Sequence, residues 1–281
     1  MRQVAFSRDS VSSLNSYGYS PHSLATYLEW IQMILENHPN GSKPFIISIT
    51  SSSSTSLATM VDAIQTLRAK LRNVDGADSR IAIELNTSCP NIKGSPPPSY
   101  DFPSLHPLLQ VLAEKYWLDE TLTIGLKLPP YVYSTQFDTV VKGLGEYTRE
   151  SEGAGVRNPF AFLTCTNTLG TSLYFSDHIE EGRSNSALGP YALPTAVGGL
   201  AGEHIHALSL GNVYTFRQLL SSQEDVALRD IQIIGVGGVT SPEAVDRMRR
   251  AGASVVGSAT LLGRRGIKAF EMLSVQTNVQ V

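Results

Sequence analysis

Six short apolar runs, at residues 45–49, 81–85, 123–128, 160–164, 231–236 and 254–256, alternate along the chain with segments of helical periodicity. The first such segment, residues 23–37, places Leu24, Tyr27, Leu28, Ile31, Ile34 and Leu35 at three- and four-residue spacing, the mark of an amphipathic helix. Further helices are expected at 57–71, 105–117, 137–149, 204–220 and 242–251, and from 266 onward. Regular alternation of this kind requires a parallel sheet with right-handed crossovers, and runs that are apolar throughout require burial on both faces. Such a sheet either closes into a barrel of eight strands or stays open and doubly wound. Six strands are legible where a closed barrel needs eight, so for a barrel either two strands are cryptic or the chain lacks them. Residues 4–6 form a further short strand, 12–21 a turn-rich loop, and 171–202 a long loop insertion rich in Gly, Ser and Pro.

Composition narrows the function. The 281 residues are 42% hydrophobic and 17% charged, enough for one large α/β domain or two small ones. A net charge of −3 offers no field to nucleic acid or to an anionic membrane, so the expected partners are small molecules. The two cysteines, Cys89 and Cys165, stand far apart and in no metal-ligand spacing, which argues against a disulfide framework or a bound metal and for a reducing compartment. No stretch of about 18 apolar residues is available to span a membrane, and the first twenty residues lack a signal-peptide core. A cytoplasmic protein is expected.

In parallel α/β folds the chemistry gathers where strands end. The strand at 81–85 runs into Asn86, Cys89, Pro90 and Asn91; the next delivers Lys127 ahead of two prolines; the next delivers Thr166, Asn167 and Thr168. A lysine ending a buried strand is costly unless it meets an anion or a polar cleft. The amides of Asn86, Asn91 and Asn167 both donate and accept, which suits a planar, uncharged or amide-rich ring better than a phosphosugar alone. Cys89, with a reference pKa of about 8.5, can serve as a general base in a covering loop. Cys165 falls at the edge of the next strand and is expected to be structural. Gly237 and Gly238 in I-I-G-V-G-G, with Gly257 and Ser258 in V-V-G-S-A, form the kind of glycine pair that barrels use to bind phosphate after their last strands. Ser241-Pro242-Glu243 is a helix start with Ser241 as cap.

Taken together, E-L-N-T-S-C-P-N-I-K-G, G-L-K-L-P-P-Y, T-N-T-L-G, G-G-L-A-G, I-Q-I-I-G-V-G-G and V-G-S-A occur in an order that resembles the class 1 dihydroorotate dehydrogenases, most closely their soluble, fumarate-using branch. The resemblance covers nearly the whole chain, and the cysteine loop is its most specific part. It implies a single FMN-binding (β/α)8 barrel over residues 1–281, active as a homodimer in pyrimidine (UMP) biosynthesis. Cys89 would take the C5 proton of dihydroorotate while hydride leaves C6 for the flavin, and fumarate would reoxidise the flavin to give orotate and succinate as products. Asn15, Gly18, Asn86, Asn91, Asn167 and Thr168 would hold the substrate. Asn86 and Lys127 would also face the flavin, where the lysine stabilises the reduced, anionic form. Gly199, Gly202, Gly237, Gly238, Gly257 and Ser258 would wrap the ribityl phosphate.

The chain departs from the family pattern at Asn15-Ser16-Tyr17-Gly18-Tyr19, where N-S-M-G-L is usual. It also begins after the segments expected to supply the first two strands, an early glycine loop and a lysine that contacts the flavin. Weak FMN retention by these 281 residues alone is therefore expected. The tyrosines leave open another flavin-barrel oxidoreductase acting on a pyrimidine or an enone, and the early start leaves open an inactive barrel remnant.

Overall fold

A computed structural model describes residues 3–18, 20–71, 80–88, 98–151, 153, 155–180 and 189–274. Strands β1 (Val4–Phe6) and β2 (Ser12–Asn15) precede helix α1 (Leu24–Asn37). Then come β3 (Phe45–Ile49), α2 (Ser54–Lys70), β4 (Ile81–Asn86), α3 (His106–Leu118), β5 (Thr123–Leu128) and α4 (Ser134–Gly145). A hairpin of β6 (Arg149–Ser151) and β7 (Gly155–Arg157) leads into β8 (Phe160–Cys165), followed by β9 (Leu169–Leu173) and β10 (Val197–Gly202). The remaining elements are α5 (His206–Ser221), α6 (Val226–Arg229), β11 (Gln232–Val236), α7 (Pro242–Arg250), β12 (Val255–Gly257), α8 (Thr260–Arg265) and α9 (Lys268–Leu273).

The six apolar runs are the six strands of one parallel sheet, in the order β12-β11-β8-β5-β4-β3. That order never reverses along the chain. A doubly wound sheet reverses at a switch point so that helices cover both faces; a single direction of winding with crossovers of one hand keeps the helices on one face and curls the sheet toward a barrel. The fold is therefore of the TIM-barrel-like α/β class, with β12 and β3 as unpaired edges of the parallel sheet among the described residues.

Side-chain alternation gives the sheet two different faces. Ile47, Ile49, Ile81, Ile83, Leu85, Ile124, Leu126, Leu128, Leu163 and Ile233 point outward and are buried under the helices, against residues such as Leu57 and Val61 of α2, Leu112 of α3, Val140 of α4 and Phe216 of α5. Full burial of one such side chain contributes roughly 1.5–3 kcal/mol, so this layer supplies most of the cohesion. The opposite face carries Ser48, Glu84, Asn86, Gly125, Lys127, Phe162 and Thr164, matched strand to strand by register. Gly125 is required here by contact: a Cβ at that position would lie 2.3 Å from the Phe162 ring.

Helix starts follow the serines. Ser23, Ser53 and Ser241 cap α1, α2 and α7 by accepting from the N–H groups of Thr26, Ser56 and Ala244. Residues 12–15, expected as loop, are instead β2, the second strand of an antiparallel sheet in the order β1-β2-β10-β9. The reason is tertiary. Ser12, Ser13 and Leu14 are buried by pairing with β10, and the Ser12 hydroxyl accepts from the His204 N–H at 3.1 Å. The segment 171–202 likewise contributes β10 and most of β9 to this sheet. The small sheet is tied to the end of the barrel strands. Glu203 accepts from the Val11 N–H at 3.1 Å and from the Thr240 hydroxyl at 2.8 Å, and Arg264 donates to the Ser10 carbonyl at 2.8 Å and pairs with Glu180.

Candidate active site

A cleft of about 380 Å³ opens at the carboxyl ends of β5, β8, β11 and β12, with the end of β10 closing one side. Its volume is within the usual range for a small-molecule or cofactor site. Lys127, Asn167, Thr168, Gly202, Gly237, Gly238, Gly257 and Ser258, all singled out from the sequence, line it together, with Glu84, Thr164 and Thr166.

The strand ends on one side of this cleft are cross-linked by amides and hydroxyls. Asn167 Nδ2 donates to Asn86 Oδ1 at 3.0 Å, to the Ser88 carbonyl at 2.7 Å and to Ser88 Oγ at 3.1 Å. Its backbone N–H donates to the Leu128 carbonyl at 2.8 Å, and its Oδ1 accepts from the Thr168 N–H at 2.8 Å. Asn86 Oδ1 also accepts from the Ser88 N–H at 3.2 Å, a local turn that directs the chain off β4. Thr87 donates to the Lys127 carbonyl from both its N–H, at 3.1 Å, and its hydroxyl, at 2.7 Å. The Lys127 ammonium makes no hydrogen bond or ion pair with another described residue, so its three donors face the cleft for a ligand.

Two loops form the other side. Gly237 and Gly238 take positive φ values of 134° and 66°, a region that favours glycine. A Cβ at Gly237 would lie 2.0 Å from Ser209 Oγ, and one at Gly238 would lie 2.5 Å from His206 Cβ, so both glycines also let α5 pack close beneath the loop. His206 Nδ1 donates to the Gly237 carbonyl at 2.8 Å while Arg247 Nε donates to His206 Nε2 at 3.2 Å, which fixes the imidazole tautomer. Ser258 Oγ donates to the Val239 carbonyl at 2.7 Å and joins the two loops.

Asn15 and Gly199 are neighbours across β2 and β10, with Asn15 Nδ2 donating to the Gly199 carbonyl at 3.0 Å. They lie one residue back from the cleft: a Cβ on Gly199 would meet the Thr168 hydroxyl at 2.3 Å. Asn86 likewise reaches the cleft through Asn167. At Gly18 an added Cβ would meet nothing within 4 Å, and Gly18 is not among the residues that line the cleft. Cys89 and Asn91 lie outside the described residues; Ser88, the residue before Cys89, is held by Asn167. Cys165 is fully buried, and burial pushes its thiol far above the usual range, which keeps it an inert core residue at neutral pH.

Sequence reasoning passed over Glu84. Its carboxylate is buried on the inner face of β4, accepting from Ser48 Oγ at 2.8 Å and Thr164 Oγ1 at 2.6 Å, and it lines the cleft. The available signal is its place inside an otherwise apolar strand, two residues before Asn86 and so on the same face.

One end of this cleft is cationic and offers amides, and the other is made of glycine backbone beside a serine. That pairing fits a ligand with a planar, anion-forming ring at one end and a phosphate at the other, as FMN has. Residues 2–278 match the sequence profile of the family described as dihydroorotate dehydrogenase. The chain belongs to the dihydroorotate dehydrogenase family. It is 30% identical over 264 residues, 94% of this chain and 71% of the relative, to a Streptococcus pneumoniae protein named "Probable dihydroorotate dehydrogenase A (fumarate)". It is 27% identical over 266 residues, 95% of this chain and 72% of the relative, to the Kluyveromyces lactis protein named "Dihydroorotate dehydrogenase (fumarate)". Dihydroorotate dehydrogenases are oxidoreductases that act on small molecules and are flavin-dependent in general. Among the described residues no helix is long and apolar enough to cross a membrane.

Proposed function

We propose that this chain oxidises dihydroorotate to orotate for pyrimidine synthesis, with FMN as cofactor, Cys89 as general base and fumarate as electron acceptor. The observation that carries this reading is the Asn167 side chain. It binds Asn86 and Ser88 at once and so holds the start of the cysteine loop against the end of β8, beside the cleft that Lys127 lines.

FMN, when bound, supplies the acceptor for the hydride that leaves C6 of dihydroorotate. The chain's residues do the rest. Cys89, as thiolate, takes the C5 proton at Sγ, so the ring loses a proton and a hydride and gains the C5–C6 double bond. Positioned general bases contribute about 10²–10⁴ in rate. Asn86, Asn91, Asn167 and Thr168 orient the ring and its carboxylate, with Asn15 and Gly18 on the β2 side. Lys127 directs its charge at the edge of the flavin ring where negative charge develops. Gly202, Gly237, Gly238, Gly257 and Ser258 hold the phosphate end, while Gly199, expected there from the sequence, backs Thr168 and Asn15 on the substrate side. Fumarate enters the same cleft and leaves as succinate. The same reading takes residues 1–281 as a single FMN-binding domain of a cytoplasmic homodimer.

The test is dihydroorotate-dependent fumarate reduction by the purified chain with FMN in excess. Turnover that requires added FMN supports the reading. A chain that binds FMN and orotate yet leaves dihydroorotate unchanged contradicts it.

A further inference from the structure

Glu84 presents a physical problem. It is 6% exposed and accepts two hydroxyl hydrogen bonds, yet no Lys, Arg or His among the described residues pairs with it. A buried carboxylate is tolerated when it is hydrogen-bonded and electrically balanced. Hydroxyls satisfy part of its acceptor capacity but carry no net charge. The bridge between β3, β4 and β8 places Ser48 on one oxygen of Glu84 and Thr164 on the other, and a neutral side chain of the same shape could also make it, an amide by accepting from one hydroxyl and donating to the other. What a carboxylate adds is negative charge.

That charge lies in the cleft wall. Glu84 is the one acid and Lys127 the one amine among the cleft-lining residues described. Glu84 is opposite Gly125 in the β4–β5 register and Lys127 opposite Asn86, so the two are one strand and two residues apart on the same face. They form a dipole across the inner wall with its positive end toward the strand ends and its negative end deeper in the barrel. Inside a low-dielectric cleft both charges act on whatever ring is bound there.

We infer that Glu84 is a charge-tuning residue of the cleft, opposing Lys127 so that the bound flavin is held at a lower two-electron potential than the lysine alone would set. This rests on the flavin reading above. Its consequence is for the second half-reaction: a flavin made less easily reduced by Glu84 gives its electrons more readily to an unsaturated dicarboxylate. Glu84 also repels such an anion from the deep end of the cleft and so favours its seating by Lys127.

The experiment measures the dissociation constants of oxidised and of dithionite-reduced FMN for the full chain and for two variants. Their ratio gives the shift in potential without any turnover. Glu84→Gln keeps the shape, lets its amide accept from one hydroxyl and donate to the other, and removes the charge; the preference for reduced over oxidised flavin is expected to rise about tenfold, equal to about 30 mV for a two-electron couple. Ser48→Ala removes one hydroxyl from the carboxylate and leaves its charge less shielded; the preference is expected to fall about threefold, and this variant carries the test if Glu84→Gln does not fold. A role for Glu84 confined to structure lowers the melting temperature in both variants and leaves the ratio unchanged, and an unchanged ratio overturns the inference. Absence of flavin binding by the unaltered chain contradicts the flavin reading itself and this inference with it.

Discussion

Asn167 Nδ2 lies 3.0 Å from Asn86 Oδ1, and the same nitrogen lies 2.7 Å from the Ser88 carbonyl, so one amide at the end of β8 fixes the path of the chain as it leaves β4. Asn167→Asp replaces that donor with an acceptor and sets it against two oxygens. Kinetic assay is expected to show kcat/KM for dihydroorotate lowered by about 10²-fold, the loss typical of a small displacement of a positioned group. A loss under threefold would show that the cysteine loop is positioned by other contacts.

Gly125 is an inner-wall position with no room for a side chain. Gly125→Ala forces a methyl against the Phe162 ring, where the approach would be 2.3 Å, and is expected to destabilise the fold by about 1–3 kcal/mol in urea unfolding. Adding Phe162→Leu to the same chain is expected to recover part of that loss. Independent, additive losses would place the strain elsewhere.

How much of this was legible beforehand depends on what each residue packs against. The six parallel strands were readable because their outward residues are apolar and packed under the helices, although the inner face, read as buried from the same runs, carries polar residues and β3, β11 and β12 are partly exposed. Strand β2 was not, because Ser12 and Ser13 carry no apolar signal and become strand only by pairing with β10, nearly two hundred residues away in sequence, as the Ser12–His204 hydrogen bond shows. At the site, Lys127, Asn167 and Thr168 were legible as polar residues ending apolar runs, and the cleft gathers them. Glu84 was hidden because its partners, Ser48 and Thr164, come from strands on either side whose register a sequence does not display. Gly237 and Gly238 read as room for a ligand, and the structure adds a second reason, the close approach of Ser209 and His206 from α5.

The two thiols are expected to differ in chemistry. Burial raises the pKa of Cys165 and so removes its thiolate at neutral pH. Iodoacetamide at pH 7.5 should leave Cys165 unmodified in the native chain and modify it after unfolding, as read by peptide mass spectrometry. Native labelling of Cys165 at the rate of the unfolded chain would contradict its place in the core.

Acid should weaken the fold at one identifiable ion pair. Arg68 is fully buried and donates to Asp119 at 3.0 Å. Partial burial raises the Asp119 pKa, but hydrogen bonds from Thr121 and Gln65 and the charge of Arg68 outweigh it and hold the carboxyl below its usual value. A folded pKa below the unfolded one means that the contribution is present above the unfolded pKa of about 3.9 and is lost as pH falls through the folded value. Urea midpoints measured from pH 6 to pH 2.5 should therefore fall more steeply for the unaltered chain than for Asp119→Asn. Parallel curves would remove Asp119 from the acid response.

The most direct test of the central claim compares flavin reduction by dihydroorotate, without oxygen, in the unaltered chain and in Cys89→Ala at equal FMN occupancy. Loss of flavin bleaching by a factor of about 10² or more, with the oxidised flavin spectrum retained, is the predicted result. Bleaching at the unaltered rate would contradict Cys89 as the base.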